Sequence, residues 1–184
     1  VYGGHGYIGE WGMEQFVRDA RIAQIYEGAN GIQALDLVGR KLGLNGGRAV
    51  QSFFAEVGQF CEENRANEAM APFTKALKKG LNDLQQATMW LMQNAMAKPD
   101  NAGAASTDYM HLFGLVAMGY MWGRMAKVAQ EKIAAGANGR SEFMEKKLLT
   151  ARFYMERVMP ESAAHLARIS TGADSMMAMD ADAF

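Results

Sequence analysis

Glu27 is the side chain of this sequence whose surroundings best suit proton chemistry. It follows the apolar pair Ile25-Tyr26 at the end of a helical stretch and precedes Gly28, so its carboxylate projects from a rigid element into a turn. Withdrawing a carboxylate from water disfavours the charged form and raises its pKa, which turns a glutamate into a useful base near neutral pH. The same position also accommodates a plain solvated glutamate, and residue type alone leaves both readings standing. Other chemistry is thinly supplied. His5, His111 and His165 stand far apart, with no metal-ligand spacing and no accompanying carboxylate pair, so no metal site is expected. Cys61 falls on an apolar helix face and reads as a small core residue rather than a nucleophile. The glycine-flanked serine of a hydrolase elbow is missing. Arg18, Asp19 and Arg21 read as an ion-pair network on a surface or interface.

The run GHGYIG, residues 4 to 9, has the G-x-G-x-x-G spacing that cradles pyrophosphate in dinucleotide-binding folds. That motif needs a strand before it, a helix after it and a carboxylate about 20 residues on. Only Val1-Tyr2-Gly3 precede it, and nothing in the first 60 residues alternates like a strand. A Rossmann fold is excluded; a nucleotide contact of another kind is not.

The elements that must position these groups read as helices throughout. Residues 1 to 12 form a glycine-rich loop, and 13 to 27 carry apolar positions at Phe16, Val17, Ile22, Ile25 and Tyr26, closed by Gly28. Asn30 caps a second helix striped by Ile32, Leu35, Val38 and Leu42, and GLNGG at 43 to 47 breaks the chain. A helix over 48 to 70 places Val50, Phe53, Phe54, Val57, Phe60 and Cys61 on one face, and a helix from Pro72 runs through Phe73, Leu77, Leu81, Leu84 and Leu91. KPDNAGAAS, 98 to 106, reads as a loop, after which Thr107 or Asp108 caps a helix to about Ala135. Ser141 caps another to about Met159, Pro160 kinks it or starts a shorter one, and the tail from Ser170 reads as frayed. The expectation is an all-α protein. Its front, residues 1 to 44, leads into an antiparallel helical bundle over 45 to 184.

Composition narrows the function class. Lys plus Arg number 19 and Asp plus Glu 20, a net charge of −1 that argues against a nucleic-acid partner, which needs a basic face. A single cysteine permits no internal disulfide and fits a cytoplasmic setting. No apolar run of about 18 residues would span a membrane. The 15 methionines read first as filler of a loosely specified core, and second as a promiscuous binding groove. Val1 is not an initiator methionine, and the chain reads as a piece of a longer protein.

GGHGY at 3 to 7 and RDARIAQIYEG at 18 to 28, followed by N-G-I-Q, closely resemble the C-terminal signature of the flavin-dependent acyl-CoA dehydrogenases. The likeness covers about residues 1 to 42, with the interval between the two blocks also matching. Residues 45 to 184 resemble the extra helical domain that some members carry after the catalytic fold. The resemblance implies that Glu27 is the base removing the α-proton of an acyl-CoA thioester while a hydride leaves the β-carbon for FAD, giving a trans-2-enoyl-CoA. It implies that Tyr26 and Gly28 line the acyl pocket. It also implies that Gly3 and Gly4 contact the FAD of a neighbouring subunit, and that Ala29, Asn30 and Gly31 approach the FAD phosphates or ribose. Ala29 stands where the family commonly has threonine, so a hydroxyl contact is lost there. The resemblance further implies an electron-transferring flavoprotein as acceptor and a homo-oligomer, dimer or tetramer. Both a fatty acyl-CoA and a short sulfur-containing one such as methylmercaptopropionyl-CoA suit it. The alternative is a non-catalytic helical module supporting assembly, with Glu27 idle in the fragment.

Overall fold

The computed structural model describes residues 2–25, 29–136 and 141–183. Among them there is no strand, and the chain divides into two compact units, Val1–Gln33 and Ala34–Phe184. The all-α expectation holds.

In the first unit the glycine-rich start is not open loop. It winds into two short 3₁₀ turns, Gly3–Tyr7 and Gly9–Trp11, closed by Gly12 in the left-handed conformation. Helix α1, Glu14–Ile25, follows. Helix α2, Ala29–Asp36, already includes Asn30, so Asn30 does not cap it from outside.

The second unit is a bundle of long helices, carried by α3 (Arg48–Glu63), α4 (Ala71–Asn94), α5 (Pro99–Ala134), α6 (Ser141–Phe153) and α7 (Glu161–Ser170). Steps of three and four bring Val50, Phe54, Val57 and Phe60 of α3, Leu77, Leu84 and Leu91 of α4, and Tyr109, Leu112 and Val116 of α5 into one core. Val38 and Leu42, upstream of the glycine break, belong to that core as well.

Three local expectations change. The helix foreseen over 48 to 70 stops at Glu63, because Asn64 turns its Nδ2 onto the Phe60 carbonyl at 2.7 Å and Asn67 accepts the Ala69 N–H at 3.0 Å. Asparagine side chains compete with the helix for backbone partners, and two of them end it. The loop foreseen over 98 to 106 is helix. Lys98 is extended, as a residue before proline must be, and Pro99 occupies the first helical turn where its missing N–H costs nothing. Ala105 and Ser106 are then buried, and Ser106 Oγ donates to the Gly103 carbonyl at 2.8 Å, so burial overrides weak local propensity. The tail is tied down at its start. The Ala173 N–H donates to Asn101 Oδ1 at 3.0 Å, Ala173 is buried, and Asp174 pairs with Lys98.

Close packing of α4, α5 and the segment before α7 rests on glycines. A wide π-helical turn at Tyr154–Val158 carries Met159 into the space between Gly80 of α4 and Gly119 of α5. A Cβ at Gly80 would sit 2.6 Å from the Met159 sulfur, and one at Gly123 would sit 3.0 Å from the Phe60 ring. Polar groups inside the bundle are paired: the Tyr109 hydroxyl meets Thr88 Oγ1 at 2.8 Å, and Ser162 Oγ donates to Asp83 Oδ2 at 2.7 Å. Thr88 itself donates to the Leu84 carbonyl at 2.8 Å, which leaves Tyr109 as the donor to Thr88.

Candidate active site

The three residues on which acyl chemistry would turn, Tyr26, Glu27 and Gly28, lie outside the described residues. What the structure describes is the frame on either side of them, within the first unit. Immediately before, α1 holds its polar face by contacts along one helix. Arg18 Nη2 donates to Gln15 Oε1 at 2.8 Å, Gln15 Nε2 donates to Asp19 Oδ1 at 2.7 Å, and Arg21 Nη1 donates to Gln24 Oε1 at 2.8 Å. Arg18, Asp19 and Arg21 are therefore not paired with one another; each uses a neighbour three or four residues away. Phe16, Val17, Ile22 and Ile25 of α1 are exposed in this chain.

Immediately after, Ala29, Asn30 and Gly31 are the first described residues of α2. The N–H groups of a helix's first turn have no partner within the helix, and the helix dipole there favours negative charge. A Cβ added at Gly31 would meet nothing within 4 Å, so a ligand can approach that backbone closely.

The glycine turn has the same openness. Gly3 adopts a φ of +57°, which a side chain would strain, and neither Gly3 nor Gly4 has a neighbour within 4 Å of a built Cβ. The turn is stiffened by the His5 and Trp11 rings, which meet edge to face with centroids 5.6 Å apart. His5 is thus engaged in packing the turn.

The other candidates sort by burial. Cys61 is buried in the bundle core, and burial pushes its thiol up to about 11, which removes the thiolate that a nucleophile needs. Sequence spacing missed one constellation. Asp108, expected as a helix cap, sits inside α5 and takes His165 Nδ1 at 2.6 Å and Arg168 Nε at 2.8 Å from α7. The His111 ring stands edge-on to His165 at 5.6 Å. Asp108/His111 on one helix and His165/Arg168 on another are both three-residue pairs of complementary type, a signal legible only once the two helices are known to be neighbours. Among the described residues, no three metal-binding side chains converge, and no helix is long and apolar enough to cross a membrane.

Comparison with known proteins covers nearly the whole chain. Residues 1–43 match the profile of the acyl-CoA dehydrogenase C-terminal domain, and residues 53–180 match the acetyl-CoA dehydrogenase C-terminal-like profile. The chain is 35% identical, over 96% of its length, to 3-methylmercaptopropionyl-CoA dehydrogenase of Ruegeria pomeroyi, of which it covers 30%. It is 29% identical, over 99% of its length, to a broad-specificity linear acyl-CoA dehydrogenase of Mycobacterium tuberculosis, of which it covers 31%. A 35-residue stretch is 51% identical to an acyl-CoA dehydrogenase of Bacillus subtilis, covering 19% of this chain and 9% of that protein. The chain thus spans about a third of the length of the first two relatives. Two adjoining profiles and relatives aligned across both units lead to one conclusion: this chain belongs to the acyl-CoA dehydrogenase family.

Proposed function

We propose that this chain is the C-terminal part of a FAD-dependent acyl-CoA dehydrogenase that desaturates an acyl-CoA thioester between its α and β carbons, with Glu27 as the α-proton base. The observation that carries the reading is the pair of motifs GGHGY and RDARIAQIYEG, set in a segment whose family profile runs over residues 1–43. In this reading Glu27 accepts the α-proton, and its own backbone N–H helps polarise the thioester carbonyl, which makes that proton acidic. Tyr26 and Gly28 flank it in the acyl pocket. Bound FAD supplies the hydride acceptor. The open stretch of α2 at Asn30 and Gly31 suits a phosphate group, and the unobstructed backbone at Gly3 and Gly4 suits the close approach of a flavin nucleotide from a neighbouring subunit. Residues 1–44 would close the catalytic helical domain and 45–184 form the extension, a division supported by the two profiles.

The acyl substrate is either a linear fatty acyl-CoA or a short sulfur-containing thioester such as 3-methylmercaptopropionyl-CoA, the substrate classes named for the two relatives that align across both units. An electron-transferring flavoprotein would reoxidise the flavin, and the cross-subunit contact of the glycine turn requires a homo-oligomer.

The test is anaerobic reduction of the flavin by acyl-CoA thioesters in the full-length protein. Bleaching of the flavin by one substrate class, lost in Glu27→Gln, is the expected result. A full-length protein that no acyl-CoA reduces would overturn the reading in favour of a non-catalytic module.

A further inference from the structure

Most of the methionines lie outside the core. Only Met70, Met144, Met155 and Met159 are buried; most of the others lie exposed, in patterns. On α5, Met118, Met121, Met125 and Val128 recur at steps of three and four and are all exposed, forming one apolar stripe. Phe143 of α6 flanks the stripe, and between the two helices runs an open groove of about 510 Å³. Its charged lining is basic only: Arg124 and Lys147, with no carboxylate. Neither cation forms an ion pair among the described residues. Arg124 lies over the Tyr120 ring at 5.5 Å, and Lys147 over Phe143 and Trp122 at 5.4 and 5.6 Å. An apolar trough whose rim cations have no carboxylate partner among the described residues suits an apolar segment carrying negative charge.

Such a segment exists in this chain. Residues 173 to 184, ADSMMAMDADAF, hold three aspartates and no lysine or arginine. Met176, Met177 and Met179 are exposed there, with no place in the bundle core. The tail cannot reach the groove of its own chain. Asp174 is held by Lys98 and Ala173 by Asn101, both at the start of α5. At about 1.5 Å per residue, Met118 lies about 30 Å and Val128 about 45 Å further along that helix. The tail methionines are two to five residues past the tether, a span of about 18 Å at most even when extended.

We propose that the acidic, methionine-rich tail of one copy docks into the basic, methionine-lined groove between α5 and α6 of a second copy. In a two-fold pair each groove takes the other's tail, so the interface is reciprocal and closed. Methionine on both sides suits it, because the flexible thioether adapts to an irregular partner. Asp180 and Asp182 supply the negative charge that suits the Arg124 and Lys147 rim.

The 184-residue chain should associate with increasing concentration in sedimentation velocity, and deletion of residues 175–184 should weaken that association about tenfold or more with its helical circular dichroism unchanged. A synthetic peptide of residues 173–184, labelled for anisotropy, should bind the tail-deleted chain. Its affinity should fall about tenfold or more between 0.1 M and 1 M salt, as screening shortens the reach of exposed charges. Arg124→Glu with Lys147→Glu should abolish both effects, and Asp180→Lys with Asp182→Lys in the same chain should restore association. The proposal is overturned by a chain that stays monomeric at about 0.5 mM, where even weak pairing is populated. It is equally overturned by association that tail deletion leaves unchanged in strength, or by a folded charge-reversed variant that binds the peptide as the unmodified chain does.

Discussion

The Asp108 carboxylate of α5 meets the His165 imidazole of α7 at 2.6 Å, with His165 itself buried. His165 Nδ1 stands between this carboxylate, which only accepts, and Arg168 Nη2 at 2.8 Å, which only donates, so it gives a proton to the first or takes one hydrogen bond from the second, not both. Arg168 completes the clamp on the same oxygen. Two helices far apart in sequence are joined here by charge as well as by packing.

A pH dependence follows. Partial burial pushes the Asp108 carboxyl up, but the hydrogen bonds from His165 and Arg168 outweigh it and hold the group below its ordinary range. A carboxyl lowered in the folded state stabilises the fold above its unfolded pKa of about 3.9, and that contribution is lost as the pH falls through the folded value. Asp108→Asn should cost about 1–3 kcal/mol at neutral pH, because it leaves His165 buried with a poorer partner. In urea titrations the gap between variant and unmodified chain should shrink in acid. A gap that is constant down to about pH 2 would mean the clamp carries no proton-linked stability.

Met159 and Gly119 form a lock whose halves should be coupled. Gly119→Ala places a methyl where Met159 already sits, an overpacking that should cost about 1–3 kcal/mol. Met159→Ala alone leaves a cavity worth about 2–5 kcal/mol. In the double variant the alanine methyl occupies vacated space, so the combined loss should be smaller than the sum. Strict additivity in denaturant midpoints would show that the glycine serves some other need.

The bundle should begin before the glycine break. A chain starting at Ala34 should keep its stability, whereas one starting at Arg48 loses the buried Val38 and Leu42, about 1.5–3 kcal/mol for each. Within the break, Gly47 has a φ of +77°, so Gly47→Ala should cost about 1–2 kcal/mol. Gly43, with negative φ and free space, is the control and should tolerate alanine. Thermal unfolding of the four proteins decides both points.

For the chemistry, Glu27→Gln in the full-length protein should slow flavin reduction by at least about 10²- to 10⁴-fold while acyl-CoA and FAD still bind, because an amide keeps the shape but accepts no proton. Glu14→Gln, at the start of the preceding helix, should change the rate little. The 184-residue chain alone should not retain stoichiometric FAD through dialysis, since a cofactor site normally buries most of its ligand and these few residues cover little of it. Reduction of the Glu27 variant within a few-fold of the unmodified rate would assign the base elsewhere.

Much of this protein is legible from local sequence. The stripes on α3 and α4, the break at 43 to 47, the buried Cys61 and the two motifs around Glu27 are all contiguous patterns. A helix face or a family signature needs no knowledge of what lies opposite. The remainder depended on partners distant in the chain. Pro99 and Asp100 suit a first helical turn, but the glycine and asparagine that follow read as loop; burial of Ala105 and Ser106 against other elements makes the stretch helix. Asp108 reads as a cap until α7 brings His165 and Arg168 to it. The methionines read as core filler because hydrophobicity does not say which side of a helix faces neighbours. Only the packing of α5 against α4, α6 and α7 decides that Met118, Met121 and Met125 face outward while Met159 fills the slot between two glycines.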